Sequence, residues 1–241
     1  ENATLRRIGF SQIQAFGGLV LRKSNLLQVW MFEKSTTPET WISESNLVSA
    51  ISNAGGFGVI AAGSMNKDQL EKEIIATKSK TRKPFGVNLI VHPTNIRVKA
   101  DLDVCEKHKV PLIITSLGAV PQIVDIVHNY GGLVYHDIIK KRHAEKASEA
   151  GVDGLILVAA GAGGHAGTLH PIPLINEVKK IFSKTIVLSG CLSNGNDIAS
   201  ALQMGADIAY MGTRFINVKE SRAEHNYKDM IMQSSAEDIV Y

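Results

Sequence analysis

The chain has 241 residues, 44% hydrophobic and 20% charged; that composition excludes a disordered chain, and the length matches the ~250 residues of one large α/β barrel. Lys and Arg number 26 against 23 Asp and Glu, and a scattered net charge of +3 argues against a dedicated nucleic-acid or membrane-surface binder. Two cysteines, Cys105 and Cys191, cannot build a disulfide framework and suit a reducing, cytoplasmic compartment, and no apolar run approaches the ~18 residues of a membrane span.

Residues 1–25 hold no obvious strand and read as an N-terminal extension. A first strand is predicted at Leu26–Met31, then a polar stretch, Phe32–Ser45, long for a connection, and a helix over Leu47–Asn53. Next come strand Phe57–Ala61 with helix Lys67–Thr81, strand Phe85–Ile90 with helix Ile96–His108, and strand Leu112–Ser116 with helix Pro121–Asn129. Strand Leu133–Tyr135 precedes helix Lys141–Ala150, and strand Gly154–Val158 precedes helix Pro173–Phe182. Strand Thr185–Ser189 with helix Asp197–Met204 and strand Ile208–Met211 with helix Ser221–Gln233 complete the series. Most strands are continuous apolar runs, such as Leu155-Ile156-Leu157-Val158, which means burial on both faces, as inside a parallel sheet. Gly55, Gly131, Gly151 and Gly205 fall where left-handed caps would end four of the helices, and Asn194-Gly195-Asn196-Asp197 is a helix start. Eight strand–helix units predict a single-domain (β/α)8 TIM barrel of the α/β class over residues 26–241.

In such a barrel, chemistry collects on the loops that follow the strands. After strand six stands Gly161-Ala162-Gly163-Gly164-His165-Ala166-Gly167, too glycine-rich for a helix, with one imidazole able to exchange a proton near neutral pH. The bland alternative is a glycine turn with an incidental surface His. Ser189-Gly190-Cys191 after strand seven and Gly212-Thr213-Arg214 after strand eight lie where barrels hold a phosphate on backbone N–H groups. Asn88 ends strand three, and a buried amide there can read the donor and acceptor edge of a ring. Thr115-Ser116 and His136-Asp137 also face the mouth, and the latter two fit a structural pair as well as a catalytic one. Cys191 reads as a small packing residue, and no metal site emerges, since His165 and His170 lack a Cys or carboxylate partner at ligand spacing.

Four stretches then fall in a telling order: Ser52-Asn53-Ala54-Gly55-Gly56-Phe57-Gly58, Pro84-Phe85-Gly86-Val87-Asn88, the Gly161–Gly167 loop, and Met211-Gly212-Thr213-Arg214-Phe215. Together they resemble the nitronate monooxygenase family, formerly called 2-nitropropane dioxygenases, over about residues 47–241. The resemblance implies an FMN-dependent enzyme that oxidises alkyl nitronates and nitroalkanes with O2. It implies small-molecule partners, a homodimer, no metal, and neither a nucleic acid nor a membrane. It puts the base, or the group that orients the nitronate, on His165. It puts contacts to the flavin ring on Met31, Asn88, Gly163 and Gly164, and the phosphate on Ser189, Gly190, Gly212 and Thr213. The sequence departs from that family where Val29-Trp30-Met31 stands for Ala-Pro-Met, where Phe32–Ser45 is lengthened, and where Val158 and Gly161 stand for Gln and Glu. Gly190-Cys191 replaces Gly-Gly, and Tyr241 ends the chain where relatives continue, which predicts a barrel shortened at its C-terminal end. On the same scaffold, a flavin-dependent enoyl-ACP reductase, an NADH:quinone reductase and an FMN-binding relative without turnover are the alternatives.

Overall fold

A computed structural model of the chain describes residues 43–163 and 167–238 and the backbone of Gln28 and Val29. The predicted extension over residues 1–25 lies outside the described residues, as do Met31, Gly164 and His165. The strands are β1 (Gln28–Val29), β2 (Phe57–Ala61), β3 (Gly86–Ile90), β4 (Leu112–Ser116), β5 (Leu133–Ile138), β6 (Gly154–Val158), β7 (Thr185–Ser189) and β8 (Ile208–Met211). They pair in parallel in chain order, and β8 returns to β1 through Gln28↔Tyr210 and Val29↔Met211, which closes the barrel. The helices are α1 (Ser45–Asn53), α2 (Lys67–Lys80), α3 (Val98–Lys107), α4 (Pro121–Asn129), α5 (Lys141–Glu149), α6 (Pro171–Val178), α7 (Gly195–Gln203) and α8 (His225–Gln233). The TIM-barrel expectation holds.

The period-2 alternation of a strand sorts its side chains between two cores. Phe57, Val59, Leu112, Ile114, Tyr135, Ile156, Val158, Val187, Ile208 and Tyr210 fill the barrel interior. Their neighbours, among them Val87, Ile113, Val134, Leu155, Leu157, Leu188 and Ala209, pack outward against the helices. The interior accepts the Tyr135 ring because β6 opens with a glycine; a Cβ on Gly154 would lie 2.7 Å from that ring. Gly55, Gly131, Gly151 and Gly205 all hold positive φ at helix ends, as predicted.

Several boundaries differ from expectation, three of them for a readable reason. Helix α6 starts at Pro171 rather than Pro173, because His170 Nδ1 accepts the Ile172 N–H at 3.3 Å and Pro171 needs no N–H partner at the first position. Helix α8 starts at His225 rather than Ser221, because the Ser221 hydroxyl accepts the Ala223 N–H at 3.2 Å and holds a turn instead. Strand β5 runs on to Ile138 rather than stopping at Tyr135, so His136 and Asp137 belong to the sheet. That extension decides where the two polar side chains point.

Candidate active site

At the C-terminal ends of the strands the alternation that turns Tyr135 and Ile114 inward also turns Asp137, Ser116 and Asn88 toward the barrel axis. Asn88 is fully buried. Its Nδ2 donates to Ser116 Oγ at 2.9 Å, and its Oδ1 meets no donor among the described residues. The Ser116 hydroxyl and the Leu117 N–H lie beside the Asp137 carboxylate and favour its charged form. Leu117 reaches that position with φ +65°, a left-handed conformation that costs a branched residue about 1–2 kcal/mol. Burial pushes the Asp137 carboxyl up to about 6 against the pull of those two groups. Tyr210, on β8, is also inside the barrel; burial, and then the Asp137 charge, push its phenol well above the usual range.

One residue along each strand, Thr115 and His136 face the helices instead. Thr115 Oγ1 lies 2.8 Å from His136 Nδ1. Burial, helped by nearby His143, pulls the His136 imidazole down to about 4, so it stays neutral between β5 and α5. The adjacent pair therefore divides: His136 is structural packing and Asp137 belongs to the mouth.

The loop after β6 is seated at both ends. Gly161 O accepts the Cys191 N–H at 3.2 Å, and Gly190 adopts φ +133° with so little room that a Cβ would lie 2.9 Å from Ala160 O. At the far end, a Cβ on Gly167 would lie 2.3 Å from Val158 O and 3.2 Å from the Ile139 side chain. His165 and Gly164 lie between these anchors, outside the described residues. At Gly163 a Cβ would meet nothing within 4 Å, so the backbone there borders open space. Cys191, expected to be packed, is exposed instead, because φ +53° turns it out at the bend.

The two predicted phosphate loops differ. Ser189 is buried at the end of β7, paired in register with Tyr210. Beyond it, the start of α7 is already satisfied: Asn194 Oδ1 accepts the Asn196 and Asp197 N–H groups, and Asp197 Oδ2 accepts those of Ser193 and Asn194 at 2.7 and 3.0 Å. After β8, Gly212 opens a 3-10 turn over Thr213–Phe215 whose first N–H groups have no partner within the turn, and Thr213 and Arg214 are exposed. The segment beyond is tied back to the start of α1 by Arg222 Nε on Glu44 Oε1 at 2.7 Å.

Thus Asn88, Ser189 and Asp137 all turn toward the barrel axis at the mouth, with Gly163, Gly190, Gly212 and Thr213 on the loops that follow the strands. The sequence named Ser116 without a role and left His136-Asp137 open between a structural and a catalytic pair; counting by two from Tyr135 would have turned Asp137 inward. Among the described residues no group of three or more His, Cys, Asp or Glu could hold a metal ion, and no helix is long and apolar enough to cross a membrane.

Comparison with known proteins adds a family. The nitronate monooxygenase family model matches residues 32–97 and 92–241. A (3aS,4S,5R,7aS)-5-hydroxy-7a-methyl-1-oxo-octahydro-1H-indene-4-carboxyl-CoA dehydrogenase of Rhodococcus jostii RHA1 is 30% identical over 82% of this chain and 56% of its own length. A nitronate monooxygenase of Paraburkholderia phytofirmans is 27% identical over 83% of this chain and 67% of its own. Among solved structures, FabK from Thermotoga maritima superposes with a TM-score of 0.78 at 29% identity, over 92% of this chain and 68% of that one. The chain spans little more than half the length of the first of these relatives. By the match of the family model across nearly all of residues 32–241, the chain belongs to the nitronate monooxygenase family.

Proposed function

We propose that this chain is the flavin-binding barrel of an FMN-dependent oxidoreductase that oxidises alkyl nitronates, and nitroalkanes after deprotonation, with O2. The observation that carries the reading is Asn88: a fully buried amide whose Oδ1 lacks a donor among the described residues, at the end of a barrel strand. Leaving such an acceptor unmet costs about 1–3 kcal/mol, and a flavin's imide N–H is a fitting partner. The open border at Gly163 leaves room for a flat ring, and the residues present fit the group. In this reading Met31, Asn88, Gly163 and Gly164 hold the ring. Ser189 and Gly190 with Gly212 and Thr213 hold the phosphate, chiefly through the turn after β8, since the N–H groups at the start of α7 are taken.

Bound there, FMN supplies the redox chemistry, taking electrons from the nitronate and giving them to O2. His165 provides the proton chemistry: as a free imidazole it takes the α-proton of a neutral nitroalkane, and its cationic form then faces the nitronate anion. The Gly161 and Gly167 anchors fix where its loop starts and ends. The test is O2 uptake by purified protein with added FMN on a pre-formed nitronate without NAD(P)H; uptake is expected, and its absence overturns the nitronate assignment.

A second reading has its own support. Two relatives at 30% identity are dehydrogenases of an indene-carboxyl-CoA, and FabK matches at 29%. On that reading the same barrel would act on a thioester, as an acyl-CoA dehydrogenase or an enoyl-ACP reductase, or reduce quinone with NADH. Bleaching of bound flavin by NAD(P)H, with none by nitronate, would favour it.

A further inference from the structure

Leu117 is held in a backbone conformation that a branched residue resists, at the barrel mouth and with its side chain 48% exposed. We propose that Leu117 is a specificity-determining residue: with Ile139 and Leu169 it forms an apolar wall over β4–β6 that receives the hydrocarbon chain of the substrate, which makes that substrate a nitronate with an alkyl chain of several carbons rather than one or two. The reacting group rests on the nitronate reading; the hydrocarbon chain does not.

Alternation along β4 turns Leu112, Ile114 and Ser116 toward the axis and would send residue 117, after Thr115, into the helix layer. The φ of +65° breaks that order and leaves Leu117 out of both apolar cores. Its backbone is fixed on both sides. Ser116 O accepts the Val91 N–H at 2.8 Å, and Gly118 sits so close to the loop after β3 that a Cβ there would lie 2.5 Å from Val91 O. The turn needs a left-handed residue, and Gly or Asn would supply it at lower cost. Lys109 is also left-handed, but it falls just past the end of α3, where that conformation is routine. Leu117 has no helix to end. Strain of this kind persists at ligand sites, where the side chain it displays is used.

The neighbouring loops continue the apolar surface. Ile139, just past β5, packs on the barrel-interior cluster, and the loop after β6 passes over it, since a Cβ on Gly167 would lie 3.2 Å from Ile139 Cβ. Leu169 is tied back to the end of β6 by the Ala160 N–H, which donates to its carbonyl at 2.8 Å, and its side chain is 39% exposed. Asp137 lies two residues before Ile139, on the strand beneath this wall. The other side of the mouth is polar, with Ser193 and Asn194 exposed after β7 and Thr213 and Arg214 exposed after β8. Among the described residues the mouth thus divides into a polar half, which the phosphate reading uses, and an apolar half over β4–β6. A hydrocarbon is the complement of that second half, because burying CH2 groups against Leu and Ile is favourable and burying a charged or hydrogen-bonding group there is costly.

The first experiment is a chain-length series. Pre-formed nitronates of nitroethane, 1-nitrobutane and 1-nitrohexane are compared by O2 uptake in the FMN-loaded protein and in Leu117→Asn. The value of kcat/KM should rise roughly two- to fourfold with each added methylene, and Leu117→Asn should cut the hexyl-to-ethyl ratio at least threefold. Because Asn tolerates the left-handed backbone, the same substitution should raise the unfolding midpoint by about 2–4 °C. A flat series, or a ratio unchanged in Leu117→Asn, overturns the proposal. A midpoint that falls makes Leu117 a packing residue and overturns it too. A change of oligomeric state in sedimentation, with the ratio unchanged, would assign the wall to contact between copies instead and likewise overturn it.

The second experiment separates this proposal from the nitronate reading. The methyl signals of Leu117, assigned by their loss in Leu117→Asn, are followed by 13C NMR as 1-hexanol or ethanol is added to the FMN-loaded protein, or to the protein alone if it retains no flavin. 1-Hexanol should shift them at concentrations at least roughly tenfold below those of ethanol. If it does and no nitronate is turned over, the nitronate assignment fails and the apolar wall stands. Signals that 1-hexanol leaves in place, or that both alcohols shift alike, overturn the wall whatever the enzyme turns over.

Discussion

Gly190→Ala separates a backbone requirement from a ligand contact. Gly190 has φ +133°, a region closed to residues with a Cβ, and the added carbon would lie 2.9 Å from Ala160 O and 3.3 Å from Ala159 O. Both oxygens are backbone, so neither can swing aside as a flexible side chain would. The conformational cost is about 1–3 kcal/mol and the crowding adds about the same again, so about 2–6 kcal/mol is expected in all. For a chain of this length that lowers the unfolding midpoint by roughly 4–24 °C. The matched control is Gly163→Ala, where the new carbon meets nothing within 4 Å. It should change stability by no more than about 0.5 kcal/mol while weakening FMN binding, because the methyl stands in the space assigned to the ring. Thermal unfolding without ligand and FMN titration, run on both variants, give the four numbers needed. A Gly190→Ala midpoint within a degree or two of the parent, or an equal loss in Gly163→Ala, would refute the assignment of loop seven as tightly seated and loop six as bordering open space.

Other outcomes follow from the same residues. His165→Ala should slow turnover of neutral nitroalkanes at least tenfold more than that of pre-formed nitronates, since a base matters only where a proton must first leave; equal losses in steady-state kinetics would contradict that role. Gly212→Asp should weaken FMN binding but spare riboflavin, because a carboxylate would face the phosphate; unchanged FMN affinity by fluorescence titration would move the phosphate elsewhere. The raised Asp137 carboxyl costs nothing below about pH 4 and about 3 kcal/mol once ionised above pH 6, so Asp137→Asn should stabilise at pH 8 and not at pH 4 in urea unfolding. A difference that is constant with pH would deny the shift. His136 has the opposite sign: its neutral form is favoured, so stability falls by about 3 kcal/mol as pH drops from 6.5 to 4, and its imidazole NMR midpoint should sit near 4 rather than near 6.5.

The barrel was legible because burial on both faces leaves a continuous apolar run, as in Gly154–Val158, and because left-handed glycines mark the helix ends. Asn88 and the loops after β7 and β8 could be singled out for the same reason: position at a strand end is readable once the strands are. What escaped was direction. His136-Asp137 reads as the polar start of a loop, yet β5 continues through it, and parallel pairing with β6 turns one side chain into each core. The seating of Gly190 against Ala160 is a contact between segments distant in the chain, for which a run of residues carries no signature.

The measurement closest to the central claim is an anaerobic absorbance spectrum of the protein after loading with FMN and removal of the excess, before and after a pre-formed alkyl nitronate is added. The account predicts one flavin retained per chain, its visible bands bleached by nitronate and restored by air. Protein that retains no flavin, or whose flavin is bleached by NAD(P)H and left untouched by nitronate, would contradict it.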